Sequence, residues 1–374
     1  MRTPRILAVD DDPGMLRAVE RVLGASHDVV GTTSPKEALL KAAGGGFDLA
    51  IVDIRMPGLD GFELMTRLKS EVPDLDIILM TGSIDDLDEK LVRALRSPAF
   101  YFIQKPFDRD VLWALVQRCL ELRWRREEHR QTLERLETEM AEARAFQQSL
   151  LADTESIVNG VAISARYLPS ARLGGDLYDY AAADARRTAL LIADVSGHGV
   201  SAAMLTGVVK SAFHASRGEA FDPLAIVHRV WQALTPFSAQ RFVTVFAALL
   251  EPERQQLKYV SAGHPSIPLW APGDAPTWLD STGPLISPVL PAAWDLRTVP
   301  LQDGHHLLLY TDGVSDRFED DACARSRIEG AIHQHRDGGG PLVEGLLQAV
   351  RDELAGQPQP DDVTVLTARV LGRG

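Results

Sequence analysis

Short apolar runs that alternate with amphipathic segments are the feature that most restricts how this chain can fold. Between residue 5 and about residue 118, the runs are ILAVD, HDVVGTT, DLAIVDI, DIILMT and AFYFIQKP. Segments with helical periodicity separate them, at residues 14–24, 35–43, 61–71 and 84–96. Strands that are apolar along their whole length are buried on both faces. The pattern therefore predicts a doubly wound α/β domain with a five-stranded parallel sheet.

Polar residues follow these runs at the positions where strands would end. Asp10 and Asp11 close the first run and Asp53 closes the third, while Thr81 and Lys105 follow the fourth and fifth. The carboxyl ends of parallel strands meet at one sheet edge, so we expect these side chains to converge. A divalent cation would offset the charge of three carboxylates and bring a phosphate to the same place, which makes an aspartate a plausible phosphoryl acceptor. Taken singly, each residue could equally cap a helix or a turn.

Together, ILAVDDDP, VDIRMPGLDG, MTG and QKPF resemble the receiver domain of two-component response regulators, over roughly residues 4–120. The resemblance implies that a sensor histidine kinase phosphorylates Asp53 in the presence of Mg²⁺. The residues implied around that phosphate are Asp10, Asp11, Asp53 and the backbone carbonyl of Arg55 for Mg²⁺, and Thr81, Lys105 and Phe102 for the switch.

Residues 118–150 differ in kind from the rest of the chain. They contain neither Gly nor Pro, and seven Arg are matched by seven Glu. Apolar or near-apolar residues recur here every seven positions, at Leu115, Leu122, His129, Leu136, Ala143 and Leu150. This spacing indicates a long helix with a heptad seam, and hence a homodimer through a coiled coil. A single charge-balanced helix that connects two domains is the alternative.

Beyond residue 152 the apolar runs are joined by short turn-rich segments, which indicates largely antiparallel strands. Helical periodicity appears at residues 199–216, 223–235 and 341–355. We therefore expect an α+β layered domain, a β-sandwich flanked by helices. The predicted domains are 1–120, a helical linker at 121–152, and 153–374.

Four acidic segments of this last domain, GGDLYDY, ADVSGHG, YTDG and PDDVT, lie next to apolar runs. Asp176, Asp194, Asp312 and Asp361 could thus converge from four strand ends. An all-oxygen site suits Mg²⁺ or Mn²⁺, and two such ions can generate hydroxide for direct attack on a phosphate monoester. Each segment alone is also a common turn former.

With FQQSLL, FVT, SAGHP and LLLYTDGV, these segments resemble PPM-type serine/threonine protein phosphatases, and more closely their SpoIIE-type branch, over about residues 145–370. The resemblance implies two Mn²⁺ or Mg²⁺ ions. The implied ligands are Asp176, Asp194 as the bridging carboxylate, Asp312, Asp361 and the backbone carbonyl of Val195. Asp362 adjoins Asp361, and either could face the metal. His198 could act as general acid for the leaving alkoxide, although a histidine between glycines also suits a turn.

Composition restricts the partners. A net charge of -13 and a pI near 5.3 argue against nucleic acid or an anionic membrane surface as a partner. No run approaches the roughly 20 apolar residues that cross a bilayer, so we expect a cytoplasmic protein without a membrane segment. Cys119 and Cys323 are far apart and have no Cys/His cluster near them, so neither a structural zinc site nor a disulfide framework is supported.

The two resemblances together suggest a response regulator in which phosphorylation of Asp53 controls a metal-dependent phosphatase. By resemblance, its substrate would be a phosphoserine or phosphothreonine protein, a STAS-type anti-sigma factor antagonist in a partner-switching pathway. The alternative is a catalytically silent, phosphatase-like adaptor that binds a sigma factor or its regulator in a phosphorylation-dependent way. A DNA-binding regulator is disfavoured, because neither a helix-turn-helix candidate nor a basic surface is present.

Overall fold

The structure, a computed structural model, divides the chain into two compact units, Met1–Leu136 and Glu137–Gly374. It describes residues 2–82, 100–237, 241–316, 318, 320–335, 339–354, 356, 357 and 359–372. The helix predicted at residues 84–96 lies outside this described part.

A parallel sheet of five strands forms the N-terminal unit, in the order β2-β1-β3-β4-β5. Its elements are β1 (Arg5–Val9), α1 (Pro13–Leu23), β2 (Asp28–Thr32), α2 (Pro35–Ala43), β3 (Leu49–Asp53), α3 (Gly61–Glu71), β4 (Asp76–Thr81) and β5 (Phe100–Gln104). Leu7 and Val52 belong to one apolar core, whereas Ile6 and Ile51, their neighbours in sequence, belong to another. Because both faces of the sheet are covered, the strands are apolar throughout, and the predicted doubly wound fold is confirmed.

Side-chain caps set where the first three helices begin. Asp12 accepts a hydrogen bond from the backbone N–H of Gly14, and Ser34 and Asp60 cap α2 and α3 in the same way. A side-chain oxygen there satisfies one of the N–H groups that the first helical turn leaves without a partner. α1 and α2 therefore begin within four residues of the end of a strand, whereas a loop of seven residues separates Asp53 at the end of β3 from α3.

One continuous helix, α4 (Arg109–Ser149), follows β5 and has 41 residues. At 1.5 Å per residue it is about 60 Å long. The division between the two compact units falls within it, after Leu136. The side chains of Leu133 and Leu136 are 48% and 51% exposed. The last receiver helix and the predicted linker are thus one helix. No helix in the described part of the chain has the length and apolar character needed to span a membrane.

Two antiparallel sheets form the C-terminal unit, in the orders β14-β11-β10-β9-β8 and β13-β12-β15-β16-β7-β6. The strands are β6 (Glu155–Val158), β7 (Val161–Leu168), β8 (Asp176–Ala182), β9 (Thr188–Val195), β10 (Val243–Glu251), β11 (Gln256–Ala262), β12 (Ile267–Trp270), β13 (Thr277–Leu279), β14 (Arg297–Pro300), β15 (His306–Tyr310) and β16 (Val363–Val370). The helices are α5 (Val200–Ala215), α6 (Pro223–Leu234), α7 (Asp312–Ser315), α8 (Asp321–Gln334) and α9 (Gly339–Leu354), with 3₁₀ turns at Ser216–Glu219 and Pro252–Arg254.

The packing of this unit follows the alternation of side chains along β9. Leu190 and Ile192 lie in a core that also contains residues of β15, β16, α8 and α9. Leu191 and Ala193 point to the other face, where they pack against α5 and α6. The predicted sandwich of antiparallel sheets flanked by helices is confirmed. Asp176 and Asp194 lie at one end of the paired strands β8 and β9.

Candidate metal centres

In the N-terminal unit, three carboxylates meet where β1 and β3 end. One oxygen each of Asp10, Asp11 and Asp53 lies within 4.8 Å of the others. Lys105 Nζ donates to Asp10 Oδ2 at 2.6 Å and to Asp53 Oδ1 at 2.7 Å. Burial raises the pKa of Asp53, Lys105 opposes that shift, and the charges of Asp10 and Asp11 add to it. Closely spaced carboxylate oxygens of this kind fit a hard divalent cation such as Mg²⁺.

The other predicted receiver residues surround this cluster in different ways. Thr81 is the last residue of β4 and is buried, and its backbone carbonyl accepts from the N–H of Lys105 at 2.7 Å. Phe102 lies in β5 and packs partly buried against the core that contains Leu7. Tyr101 beside it packs on the opposite face of the sheet. Arg55 is exposed, two residues after Asp53.

In the C-terminal unit, Asp176 and Asp194 are direct partners across the antiparallel pair β8 and β9. Asp176 is only 2% exposed, and its Oδ2 accepts from the hydroxyls of Thr311 at 2.8 Å and Thr364 at 2.6 Å. These threonines belong to the other sheet or its end, so they hold Asp176 across the sandwich. Our reading of the sequence missed both of them, although YTDG and DDVT contain them.

The acids around Asp176 have raised pKa values, because they are buried and repel one another. Burial, followed by the charges of Asp312 and Asp361, raises the pKa of Asp194 to about 7. Burial, followed by Asp316 and Asp361, raises the pKa of Asp312 to about 6. The pKa of Asp176 is also raised, by burial first and then by Asp194. Such a group of acids is stable at neutral pH only when protons or cations compensate the charge. Among the described residues, Asp10, Asp11 and Asp53 bring three carboxylate oxygens within 4.8 Å of one another, whereas the acids of the C-terminal unit do not.

The adjacent acids Asp361 and Asp362 have different surroundings. Asp362 is buried, and its carboxylate accepts from the backbone N–H and hydroxyl of Ser170 and from the N–H of Gly175, at 2.6–3.0 Å. A Cβ on Gly174 would overlap that carboxylate, so only glycine fits there. Asp361 is exposed, and its charge acts on Asp194 and Asp312. Asp362 thus holds the loop before β8, and its charge also acts on Asp176 and Asp194. Both acids therefore stay predicted metal ligands.

His198 lies in the loop between β9 and α5 and is exposed. Gly197 and Gly199 on either side have φ angles of 81° and 87°, a backbone conformation that favours glycine. The N–H of Val195 donates to the carbonyl of Gly175 at 3.0 Å. The role of His198 as a general acid stays a prediction.

Asp179 follows Asp176 in the same strand, but it faces the other side. Its Oδ2 accepts from Lys210 Nζ at 2.5 Å and lies 2.9 Å from His214 Nε2. Both partners belong to α5. The side chain is therefore part of the contact between β8 and α5, apart from Asp176.

Gln147, near the end of α4, is a further residue that our reading of the sequence missed. Its side chain is buried, with the residue only 5% exposed. Nε2 donates to the carbonyl of Gly174 at 2.6 Å, and Oε1 accepts from the N–H of Gly174 at 3.2 Å. The end of the long helix is thereby attached two residues before Asp176. The motif FQQSLL was the available signal, but it does not distinguish Gln147 from Gln148.

Comparisons with known proteins agree with this division. The family model for Stage II sporulation protein E (SpoIIE) matches residues 184–371, half of the chain, and that for the response regulator receiver domain matches residues 6–117. The phosphoserine phosphatase RsbP of Bacillus subtilis is 33% identical over 186 residues, which are 48% of this chain and 45% of RsbP. The C4-dicarboxylate transport transcriptional regulatory protein DctD of Pseudomonas aeruginosa is 38% identical over 120 residues, 32% of this chain and 26% of DctD. The chain thus spans less than half the length of these curated relatives.

Among solved structures, the SiaA-PP2C domain of Pseudomonas aeruginosa is similar to this chain, with a TM-score of 0.55 and 22% sequence identity. The match covers 64% of this chain and 98% of that domain. At this identity the similarity concerns the fold. The two antiparallel sheets and their flanking helices thus have the fold of that domain.

Proposed function

The chain belongs to the SpoIIE family and carries a receiver domain ahead of the SpoIIE region, and from this we propose that it is a phosphorylation-controlled, metal-dependent protein-serine/threonine phosphatase. The observation that carries the proposal is that Asp176 and Asp194 are direct partners across β8 and β9, with the charges of Asp312 and Asp361 acting on Asp194. Several carboxylates near one another suit divalent cations such as Mg²⁺ and Mn²⁺, which prefer oxygen ligands.

The roles proposed for the residues follow from the resemblance to SpoIIE-type phosphatases. Asp176, Asp194, Asp312, Asp361 and the carbonyl of Val195 would hold two Mn²⁺ or Mg²⁺ ions. These ions would supply a hydroxide nucleophile and stabilise the charge on the phosphate. Thr311 and Thr364 orient Asp176 through its Oδ2. His198 would donate a proton to the leaving serine or threonine oxygen.

The substrate proposed is a phosphoserine or phosphothreonine on a STAS-type anti-sigma factor antagonist. The similarity to RsbP, a phosphoserine phosphatase, supports a phosphoserine substrate. The proposed input is a sensor histidine kinase that phosphorylates Asp53, whose carboxylate lies beside Asp10, Asp11 and Lys105. Mg²⁺ at these carboxylates would serve that phosphoryl transfer.

We propose that α4 carries the signal and forms a homodimer. Leu133 and Leu136 are large apolar side chains at heptad-related positions and are about half exposed, which fits a seam between two helices. At its other end, Gln147 holds the loop that precedes Asp176. A change at the receiver that alters the helix pair would thus reach a metal-binding strand through this contact.

The experiment is hydrolysis of a phosphorylated STAS protein by the full chain with Mn²⁺, with and without beryllofluoride, a mimic of phosphate on Asp53. Asp312→Asn serves as the blank. Metal-dependent turnover that changes with beryllofluoride and disappears in the blank is the expected result. Stoichiometric binding without turnover in any state would contradict the proposal and favour the adaptor.

A further inference from the structure

The loop at residues 196–199 connects the end of β9 to the start of α5, directly after Asp194 and Val195. Two of its four residues, Gly197 and Gly199, have positive φ angles. Glycine has a wide choice of backbone conformations, so this stretch is held in one conformation only by contacts from outside it. The position of the Val195 carbonyl depends on those contacts, because Val195 is covalently joined to the loop.

Arg241 supplies the most extensive of these contacts. Its Nη1 donates to the backbone carbonyl of Ser196, and its Nη2 donates to the hydroxyl of Ser201 at 2.8 Å. The guanidinium also lies directly over Gly197, where a Cβ would overlap it. One planar group therefore spans the loop from its first residue to the first turn of α5. The rigid fork of arginine is suited to holding two acceptors at once.

Phe242 extends the attachment along the backbone. The N–H of Ser196 donates to the carbonyl of Phe242 at 2.9 Å, and the N–H of Phe242 donates to the hydroxyl of Ser196 at 3.0 Å. The next residue, Val243, pairs with Val195 across the sheet. Arg241 and Phe242, which directly precede β10, thus hold the loop, although some 45 residues separate them from it in sequence.

We propose that Arg241 is a positioning residue of the phosphatase site, which sets the 196–199 loop and with it the Val195 carbonyl for metal binding. This inference rests on the proposed function, because it assigns Arg241 to that same site. Outer partners of metal ligands commonly affect metal affinity by about 10–100-fold. Arg241→Ala should therefore weaken Mn²⁺ binding by about tenfold or more.

The test compares the full chain with Arg241→Ala, Arg241→Lys and Ser201→Ala. Arg254→Ala is the matched control, because Arg254 is a 67% exposed arginine at a distant turn with a 3.5 Å contact to Glu251. Mn²⁺ binding is measured directly by titration calorimetry, and p-nitrophenyl phosphate hydrolysis is measured against Mn²⁺ concentration. Metal binding at the receiver is common to all variants and cancels in the comparison. Melting in EDTA reports any general loss of stability.

Weaker Mn²⁺ binding in Arg241→Ala, a smaller loss in Arg241→Lys and Ser201→Ala, and none in Arg254→Ala would support the proposal. Lower melting temperature with unchanged Mn²⁺ affinity would overturn it, since that is the result of a purely structural role. If Arg241→Ala does not fold, the Lys and Ser201 variants decide by the same criterion. A wild-type chain that binds Mn²⁺ but hydrolyses nothing would refute the proposed function, while the binding comparison would still test Arg241.

Discussion

Replacing Gln147 by alanine should detach the end of α4 from the loop before β8. Gln147 makes two hydrogen bonds to the backbone of Gly174, through which both the N–H and the C=O of that buried glycine are satisfied. A buried polar group left without a partner costs about 1–3 kcal/mol, so two such groups at about 2 kcal/mol each reduce the free energy of unfolding by about 4 kcal/mol. For a unit of this size, that corresponds to a melting temperature lowered by roughly 8–16 °C.

The assay is thermal melting of the full chain, followed by circular dichroism. The transition of the receiver is identified by its shift on addition of beryllofluoride, which leaves the other transition to the C-terminal unit. Gln148→Ala is the matched control, since Gln148 is the same residue type, one position away and exposed. Mn²⁺-dependent hydrolysis of a phosphorylated STAS protein is measured on the same samples.

We expect Gln147→Ala to lower the melting temperature of the C-terminal unit and to weaken the effect of beryllofluoride on hydrolysis, with Gln148→Ala unchanged in both. A melting temperature of Gln147→Ala within about 2 °C of Gln148→Ala would refute the reasoning on stability. An unchanged beryllofluoride effect would refute the coupling through Gly174.

Three further predictions concern the input, the metal site and the helix. Asp53→Asn should abolish the response to beryllofluoride while basal Mn²⁺-dependent turnover remains; loss of basal turnover would contradict an input role. Burial and repulsion raise the pKa of Asp194 to about 7 and that of Asp312 to about 6. Between about pH 4 and these values, the folded protein keeps protons that the same aspartates lose in the unfolded chain, where their pKa is near 4. Melting temperature in EDTA should therefore fall as pH rises from about 4 to 7, and Mn²⁺ should reverse the fall; a slope that is the same in Asp312→Asn would count against this origin. Insertion of three or four residues after Glu137 rotates the seam by part of a turn, so the response to phosphorylation should change, and an unaltered response would exclude the coiled-coil route.

The sequence by itself determined the class of each fold and the order of the parts. Runs apolar throughout, such as ILAVD and DLAIVDI, require cover on both faces of a sheet, which is a local property of composition. Asp10 and Asp53 follow such runs, so their convergence at one edge could be expected from the topology alone. The heptad spacing around Leu136 likewise indicated a long helix, because periodicity is visible along the chain.

Only the tertiary structure decided which side chains support the sites. Asp361 and Asp362 are adjacent in sequence, yet Asp361 is exposed and Asp362 accepts hydrogen bonds from Ser170 and Gly175, which are 192 and 187 residues away. Gln147 differs from Gln148 only in which side of α4 it occupies. The role of each of these side chains depends on the face of the helix or strand on which it lies and on the distant segment that packs against that face. A local sequence pattern does not contain this information, because it depends on how two sheets and a helix end meet in space.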